Sequence, residues 1–220
     1  MRESKKYQAS GIEAEQEEGA EQGVLKNLLG IKIRTELDQV ENVALKQAED
    51  IFFKKLVSRD RRFTARDLYN MHKIWLGKIY KWAGKSRDVD LTKGIKFAHA
   101  KHVPGLMESF EKECLAKNTP CIFDSREKVI AALAKVHTEL ILIHPFREGN
   151  GRLARVLSTL MALQAGLPPL DFSPIEKGEG RQKYFEAVKQ GWVKKNYRLM
   201  EKVFEEIIEK TLSRSREKER

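Results

Sequence analysis

At 220 residues and 25.4 kDa the chain is sized for one domain with short extensions, and 41% hydrophobic residues supply a core. A net charge of +10 admits nucleic acid or an acidic partner. No basic tract is interleaved with aromatics, however, so Lys-rich solubility is the favoured reading and nucleic acid the weaker one. The two cysteines, Cys114 and Cys121, exclude a disulfide framework and suit a reduced protein. No signal peptide and no apolar run of membrane-spanning length is read, so the expected compartment is the cytoplasm, with no membrane partner; a secreted effector with an unrecognised export signal is the alternative.

Residues 1–23 are polar, with an acidic cluster from Glu13 to Glu18, and read as a loosely packed arm. Val24-Leu25 and Leu28-Leu29 form an apolar patch suited to docking it. Thr35 is a good N-cap for a long helix with Leu37, Val40, Val43, Ala44, Ala48, Ile51, Phe52 and Leu56 at roughly helical spacing. After the charged run Arg59 to Arg62, Thr64 caps a second helix with Leu68, Met71, Ile74, Trp75 and Ile79 as its apolar face. His72 beside that face reads as a satisfied or surface histidine. Val89, Leu91, Ile95 and Phe97 then alternate with polar residues around Lys93-Gly94, which predicts a short β-hairpin. His99 and His102 lack a Cys, Asp or Glu nearby to complete a metal set. Leu106, Met107, Phe110 and Leu115 face one more helix inward.

Asp124 or Ser125 caps a helix running to about Ile143. Val129, Ala132, Leu133, Val136, Leu140 and Ile143 face inward, and Leu142 makes the last turns apolar nearly all round. Such a helix is the buried centre of the fold. His137 within it is expected to be a core histidine with a hydrogen-bond partner. A helix ending near Gly166, one beginning at Gly178 to Arg181, and one over Tyr197 to Leu212 complete the chain. The predicted class is all-α, a helical bundle around a buried central helix with one short β-hairpin. The expected division is an arm (1–34), a helical domain (35–212) and a charged tail (213–220).

One stretch carries chemistry: His144-Pro145-Phe146-Arg147-Glu148-Gly149-Asn150-Gly151-Arg152-Leu153-Ala154-Arg155. Pro145 ends the central helix and leaves an imidazole at the lip of a turn, open to solvent or substrate. Gly149 and Gly151 allow positive φ and close approach to the main chain. Unpaired N–H groups from Gly149 to Arg152 open the next helix, where an anion is favoured. Arg152 and Arg155 are spaced i, i+3, and guanidinium forks suit phosphate oxygens. Glu148, the one carboxylate of the turn, is placed to hold Mg²⁺ beside a polyphosphate. A base, a metal ligand, an amide nest and two phosphate clamps are the parts for chemistry at a nucleotide phosphate.

The same stretch resembles the signature of the Fic (Fic/Doc) family, His-x-Phe-x-(Asp/Glu)-Gly-Asn-Gly-Arg-x-x-Arg, with every specified position filled. The resemblance implies a Fic domain over 35–212 and Mg²⁺-dependent transfer of AMP from ATP to a Ser, Thr or Tyr hydroxyl of a target protein. It implies His144 as base, Phe146 as core anchor, Glu148 as Mg²⁺ ligand, Gly149, Asn150 and Gly151 as the anion nest, and Arg152 and Arg155 on the β- and γ-phosphates. It makes the hairpin a flap over the site, with Lys93, Gly94, Ile95 and Lys96 at target or nucleotide, and puts Tyr184 near the adenine, a core role for Tyr184 being the alternative. Gly151 stands where the Doc branch has Lys, which favours AMP transfer over phosphoryl transfer; AMP removal at the same site and a nucleotide- or nucleic-acid-binding module are the other readings. Many relatives carry an inhibitory (Ser/Thr)-x-x-x-Glu-(Gly/Asn) helix whose glutamate meets the second arginine. Neither Glu18-Gly19 nor Glu217-Lys218 completes it, so a constitutively active chain or a separate small antitoxin-like inhibitor is expected.

Overall fold

The computed structural model describes residues 15–92 and 97–218, so Lys93, Gly94, Ile95 and Lys96 of the expected flap lie outside the described residues. The described residues are mainly helical, and none of their helices is long and apolar enough to cross a membrane. They divide into two compact units. The first takes 15–54, 65–92, 97–108 and 143–153; the second takes 55–64, 109–142 and 154–218.

In the first unit, α1 (Arg34–Leu56) buries Leu37, Glu41, Ala48 and Phe52. Leu37 N–H already donates to Ile33 O at 3.1 Å, so Thr35 lies inside the first turn and is not the cap. The inward row contains a glutamate, and Val43 and Ile51, expected inside, are instead exposed. The same rotation occurs in α2 (Ala65–Leu76), which buries Leu68, Met71, His72, Trp75 and Leu76 while Ile74 faces solvent. These positions run i, i+3, i+4, i+7, i+8, the stripe of an amphipathic helix with a histidine in it. Residues 15–23, expected to be loosely packed, are pinned together with 24–33. Gln16 and Leu25 form an antiparallel bridge, Leu28 N–H donates to Ile79 O at 2.8 Å, and the Asn27 amide bonds Ile31 in both directions. Val24 and Leu25 are buried, but Leu28 and Leu29 are exposed, so only half of the expected docking patch is used. Where the hairpin was expected, the described residues contain no strand. Thr92 makes a single bridge, Phe97 N–H donates to Leu91 O at 3.2 Å, and Val89, Leu91 and Phe97 form a buried cluster. The start of α3 (Val103–Phe110) completes this unit.

In the second unit the chain continues through a π-helical turn, Glu111–Leu115, into α4 (Ala116–Asn118). Next comes α5 (Arg126–Ile143), capped by Ser125, whose Oγ accepts from Lys128 N–H at 3.4 Å. Ala132, Leu133, Ala134, Val136, His137, Thr138, Leu140 and Ile141 are all buried, while Ala131, Lys135, Glu139 and Leu142 form one half-buried stripe, so α5 is enclosed over most of its circumference. Leu167 N–H reaches back to Ala162 O at 2.9 Å around Gly166, whose φ is +79°, and so closes α6 (Asn150–Gln164) with a Schellman turn. Then follow α7 (Gly178–Lys194) and α8 (Arg198–Lys218). The last helix runs six residues beyond the expected Leu212, because Arg214 pairs with Asp171 at 2.9 Å and Thr211 Oγ accepts from Asp171 N–H. Cys114 and Cys121 are free, buried thiols, each pushed up to about 12 by desolvation.

Each unit is built around a neutral histidine whose protonation follows from its partners. In the first, Gly84 N–H donates to His72 Nδ1 at 2.9 Å, so the proton sits on Nε2, 3.1 Å from Glu148 O. In the second, Ser158 Oγ–H donates to Ala154 O at 2.9 Å and can only accept from His137 Nδ1–H at 3.1 Å. His137 Nε2 therefore accepts from the Tyr184 hydroxyl at 3.0 Å, and Phe204 of α8 packs edge-on at 5.4 Å. Burial lowers His72 from 6.5 to about 4 and His137 to about 3. The unfolded chain binds more protons between these values and 6.5, so stability is full above pH 6.5 and declines as pH falls from there. Urea midpoints should drop between pH 6.5 and 5, each imidazole adding up to about 1.4 kcal/mol per pH unit, and a His72→Gln variant should lose its share of that slope. Tyr184→Phe should leave His137 Nε2 buried without a donor and cost about 1–3 kcal/mol in the same measurement.

Candidate functional site

The helix α5 ends where the sequence placed its stop. A helix leaves its last carbonyls without partners of its own, and here Arg87 meets the last of them and the two carbonyls that follow. Arg87 Nε donates to His144 O at 2.7 Å, its Nη2 lies 3.4 Å from Ile143 O, and its backbone N–H donates to Pro145 O at 2.9 Å. The same guanidinium donates from Nη1 to Val89 O at 2.7 Å and from Nη2 to Ala98 O. Held this way, His144 takes φ +52°, a left-handed conformation that costs a non-glycine residue about 1–2 kcal/mol. Its ring does not stand open at the lip of the turn as expected. It is 6% exposed and stacks on Phe97, centroids 3.7 Å apart and 14° from parallel. The stack covers the face of the imidazole and leaves the ring nitrogens at its edge.

The rest of the turn is held as closely. Phe146 is fully buried and stacks on His72 at 3.9 Å. Asn150 donates to Phe146 O at 2.7 Å and accepts from Phe146 N–H at 2.9 Å, so its amide is a staple of the turn and only its backbone is left for a nest. Gly149 has φ +85°, and a Cβ there would come within 2.7 Å of the Trp75 ring, so this position admits glycine alone. Gly151 differs from the expectation: its φ is not positive, it lies in the first turn of α6, and a Cβ there would meet open space. Its use is to leave the helix N-terminus uncovered.

Glu148 lies across that N-terminus. Its carboxylate accepts from Gly149 N–H at 3.1 Å and stands 3.7 Å from Arg152 Nη2. Arg152 is also 2.5 Å from Glu41 Oε2 and lies 4.7 Å over the Trp75 ring. Among the described residues no three His, Cys, Asp or Glu side chains form a metal-ligating group. One carboxylate beside an anion-binding helix start suits Mg²⁺, which takes its remaining ligands from phosphate and water; on that chemistry Glu148 fits the expected cation.

Arg155 and Tyr184 belong to the second unit. The Arg155 guanidinium lies 5.8 Å over Phe172, and its Nε is buried with no hydrogen-bond partner among the described residues. Tyr184 does not present itself to a ligand: it is 8% exposed, its hydroxyl is taken by His137, and burial pushes it up to about 12. The adenine contact expected of it gives way to its core role. Sequence reasoning missed Arg87, Glu41 and the anchoring role of His72. Nothing marks a buried arginine within Lys85-Ser86-Arg87-Asp88, whereas Glu41 does fall on the i+4 row of Leu37. Glu41-Asn42 also ends like the inhibitory pattern, with Leu37 where Ser or Thr belongs, but its glutamate meets the first motif arginine, not the second.

The Fic/DOC family model matches residues 62–162. Protein adenylyltransferase VbhT of Bartonella schoenbuchensis is 32% identical over 160 residues, which is 72% of this chain and 33% of that protein. Protein adenylyltransferase Fic of Nematostella vectensis is 28% identical over 76% of this chain and 38% of its own length. The chain thus spans roughly a third of the length of these two curated relatives. Among solved structures, the VirB-translocated effector BepC of Bartonella tribocorum with bound AMPPNP superposes with a TM-score of 0.70 at 26% identity, covering 87% of this chain and 94% of that one. With an unbroken signature from His144 to Arg155 built into this helical fold, the chain belongs to the Fic/DOC family.

Proposed function

We propose that the chain is a protein adenylyltransferase that moves AMP from ATP to a Ser, Thr or Tyr hydroxyl of a target protein. The observation that carries the reading is the seat of Glu148. A carboxylate oxygen already rests on Gly149 N–H beside the Arg152 guanidinium, so the start of α6 holds an oxyanion in the free protein. A phosphate oxygen has the same requirements. The names of the relatives, protein adenylyltransferases, and the AMPPNP bound to the BepC structure support a nucleotide there.

In this reading the N–H groups of Gly149, Asn150 and Gly151, with Arg152, hold the polyphosphate. Arg155, three residues on along α6, is assigned the same kind of contact on its place in the signature. Glu148 would hold Mg²⁺, which when bound would neutralise charge on the phosphates. His144 accepts the proton of the target hydroxyl at the edge of its ring, since Phe97 covers one face. The hydroxyl oxygen then forms a bond to the α-phosphorus, the bond from that phosphorus to the bridging oxygen breaks, and pyrophosphate leaves with the electron pair. The backbone of His144 is fixed by Arg87, so the imidazole is oriented before the target arrives. Lys93, Gly94, Ile95 and Lys96 are proposed to meet the target segment.

The test uses ATP labelled in turn at the α- and γ-phosphate. Wild-type chain in lysate should transfer the α-label to protein and not the γ-label, with a target gaining the mass of one AMP group. His144→Ala should reduce transfer by at least about 10²-fold while ATP affinity changes little. Transfer of the γ-label instead would establish phosphoryl transfer, and binding without either label moving would make the chain a nucleotide-binding module.

A further inference from the structure

Glu41 is 3% exposed and sits on α1, far along the chain from the signature. One of its carboxylate oxygens lies 2.5 Å from Arg152 Nη2, and the other accepts the Tyr80 hydroxyl. Its backbone carbonyl accepts from Trp75 Nε1–H at 2.9 Å. Trp75 in turn lies under the Arg152 guanidinium at 4.7 Å and against Gly149. The group at the edge of the guanidinium and the group beneath its face are therefore bonded to each other and act as one holder. All of these residues belong to the first unit.

Anchoring α1 does not need this arrangement. A buried ion pair is often no more stabilising than apolar residues of the same size, because both charges lose their hydration. What the pair does supply is direction. A guanidinium has five N–H donors in a rigid plane, and Glu41 engages one nitrogen while Trp75 takes one face, so the remaining donors keep a fixed bearing. We propose that Glu41 is a positioning residue for phosphate recognition: with Trp75 it locks Arg152 in the orientation from which that arginine grips the polyphosphate of ATP. The inference rests on the nucleotide site assigned above, but not on the transfer chemistry.

The test is equilibrium binding of a non-hydrolysable ATP analogue by calorimetry to the full chain, with Tm followed alongside. Glu41→Gln should weaken binding by about 10–100-fold, the scale of one hydrogen bond to a charged group. Arg152→Ala should weaken it at least as much, and the double variant should bind no more weakly than Arg152→Ala alone, because Glu41 acts through that arginine. Losses that multiply, unchanged affinity with a lowered Tm, or tighter binding by Glu41→Gln would each overturn the proposal; the last would mean that Glu41 holds Arg152 away from the nucleotide. If Glu41→Gln does not fold, Tyr80→Phe loosens the same carboxylate and should weaken binding by about 2–5-fold, an effect that should vanish in the Arg152→Ala background. Wild-type chain that binds the analogue but transfers no AMP would sink the transferase reading and leave this inference to be decided by the variants. Wild-type chain that does not bind the analogue would sink both.

Discussion

The candidate site depends on one guanidinium. At the end of α5 the Arg87 side chain meets Ile143 O and His144 O and its backbone N–H meets Pro145 O, where His144 takes a left-handed backbone conformation. A helix ordinarily ends on glycine at such a position, because glycine alone adopts it without strain. Here a histidine stands there, and a buried positive charge at the negative end of the helix dipole offsets the cost. The same side chain also bonds Val89 and Ala98, on either side of 93–96. The backbone of the imidazole therefore shares one anchor with Val89 and Ala98.

Around that anchor the turn is fixed from every direction by groups that are themselves buried. His72 holds Glu148 O, Asn150 ties Phe146 twice, Trp75 fills the space at Gly149, and Glu41 takes Arg152. Polar side chains in a core are costly unless every one finds a partner, and a satisfied set specifies a single geometry. Catalysis at phosphate asks for that property, since stabilisation comes from donors already aimed where charge accumulates. The second unit repeats the device at smaller scale, with Tyr184, His137 and Ser158 in one directed chain of hydrogen bonds.

Much of this was legible in the sequence. Pro145 marked the end of α5, Gly166 marked the end of α6, and the apolar inward rows of α5 announced a helix buried over most of its surface. The signature gave the residues of the turn because each type has a chemical use at its place. What failed followed from one habit of reading. Val43, Ile51 and Ile74 were assigned inward because they are apolar, and they face solvent because Glu41 and His72 hold the inward rows. A carboxylate or imidazole takes such a place only when its partners are supplied by distant parts of the chain, which spacing along one helix does not reveal. The flap was read from alternation as a hairpin; no strand is described there, and Val89, Leu91 and Phe97 are instead a buried cluster. For Tyr184 the two readings, adenine contact and core, were both open, and the hydroxyl bonded to His137 shows the core one.

Glu41 and Arg152 are separated by 111 positions, His72 and Glu148 by 76, and Arg87 and His144 by 57. Contacts so distant along the chain form only after long loops have closed, and the entropy of closure is spent before any of them contributes. During synthesis α1 and α2 leave the ribosome long before the residues that complete them. Until Arg152 emerges, the Glu41 carboxylate has no cation to meet and no reason to desolvate. A nascent chain that has not yet reached Arg152 therefore lacks the ion pair that fixes this arginine, and the geometry of the turn is completed only by residues made long after α1 and α2.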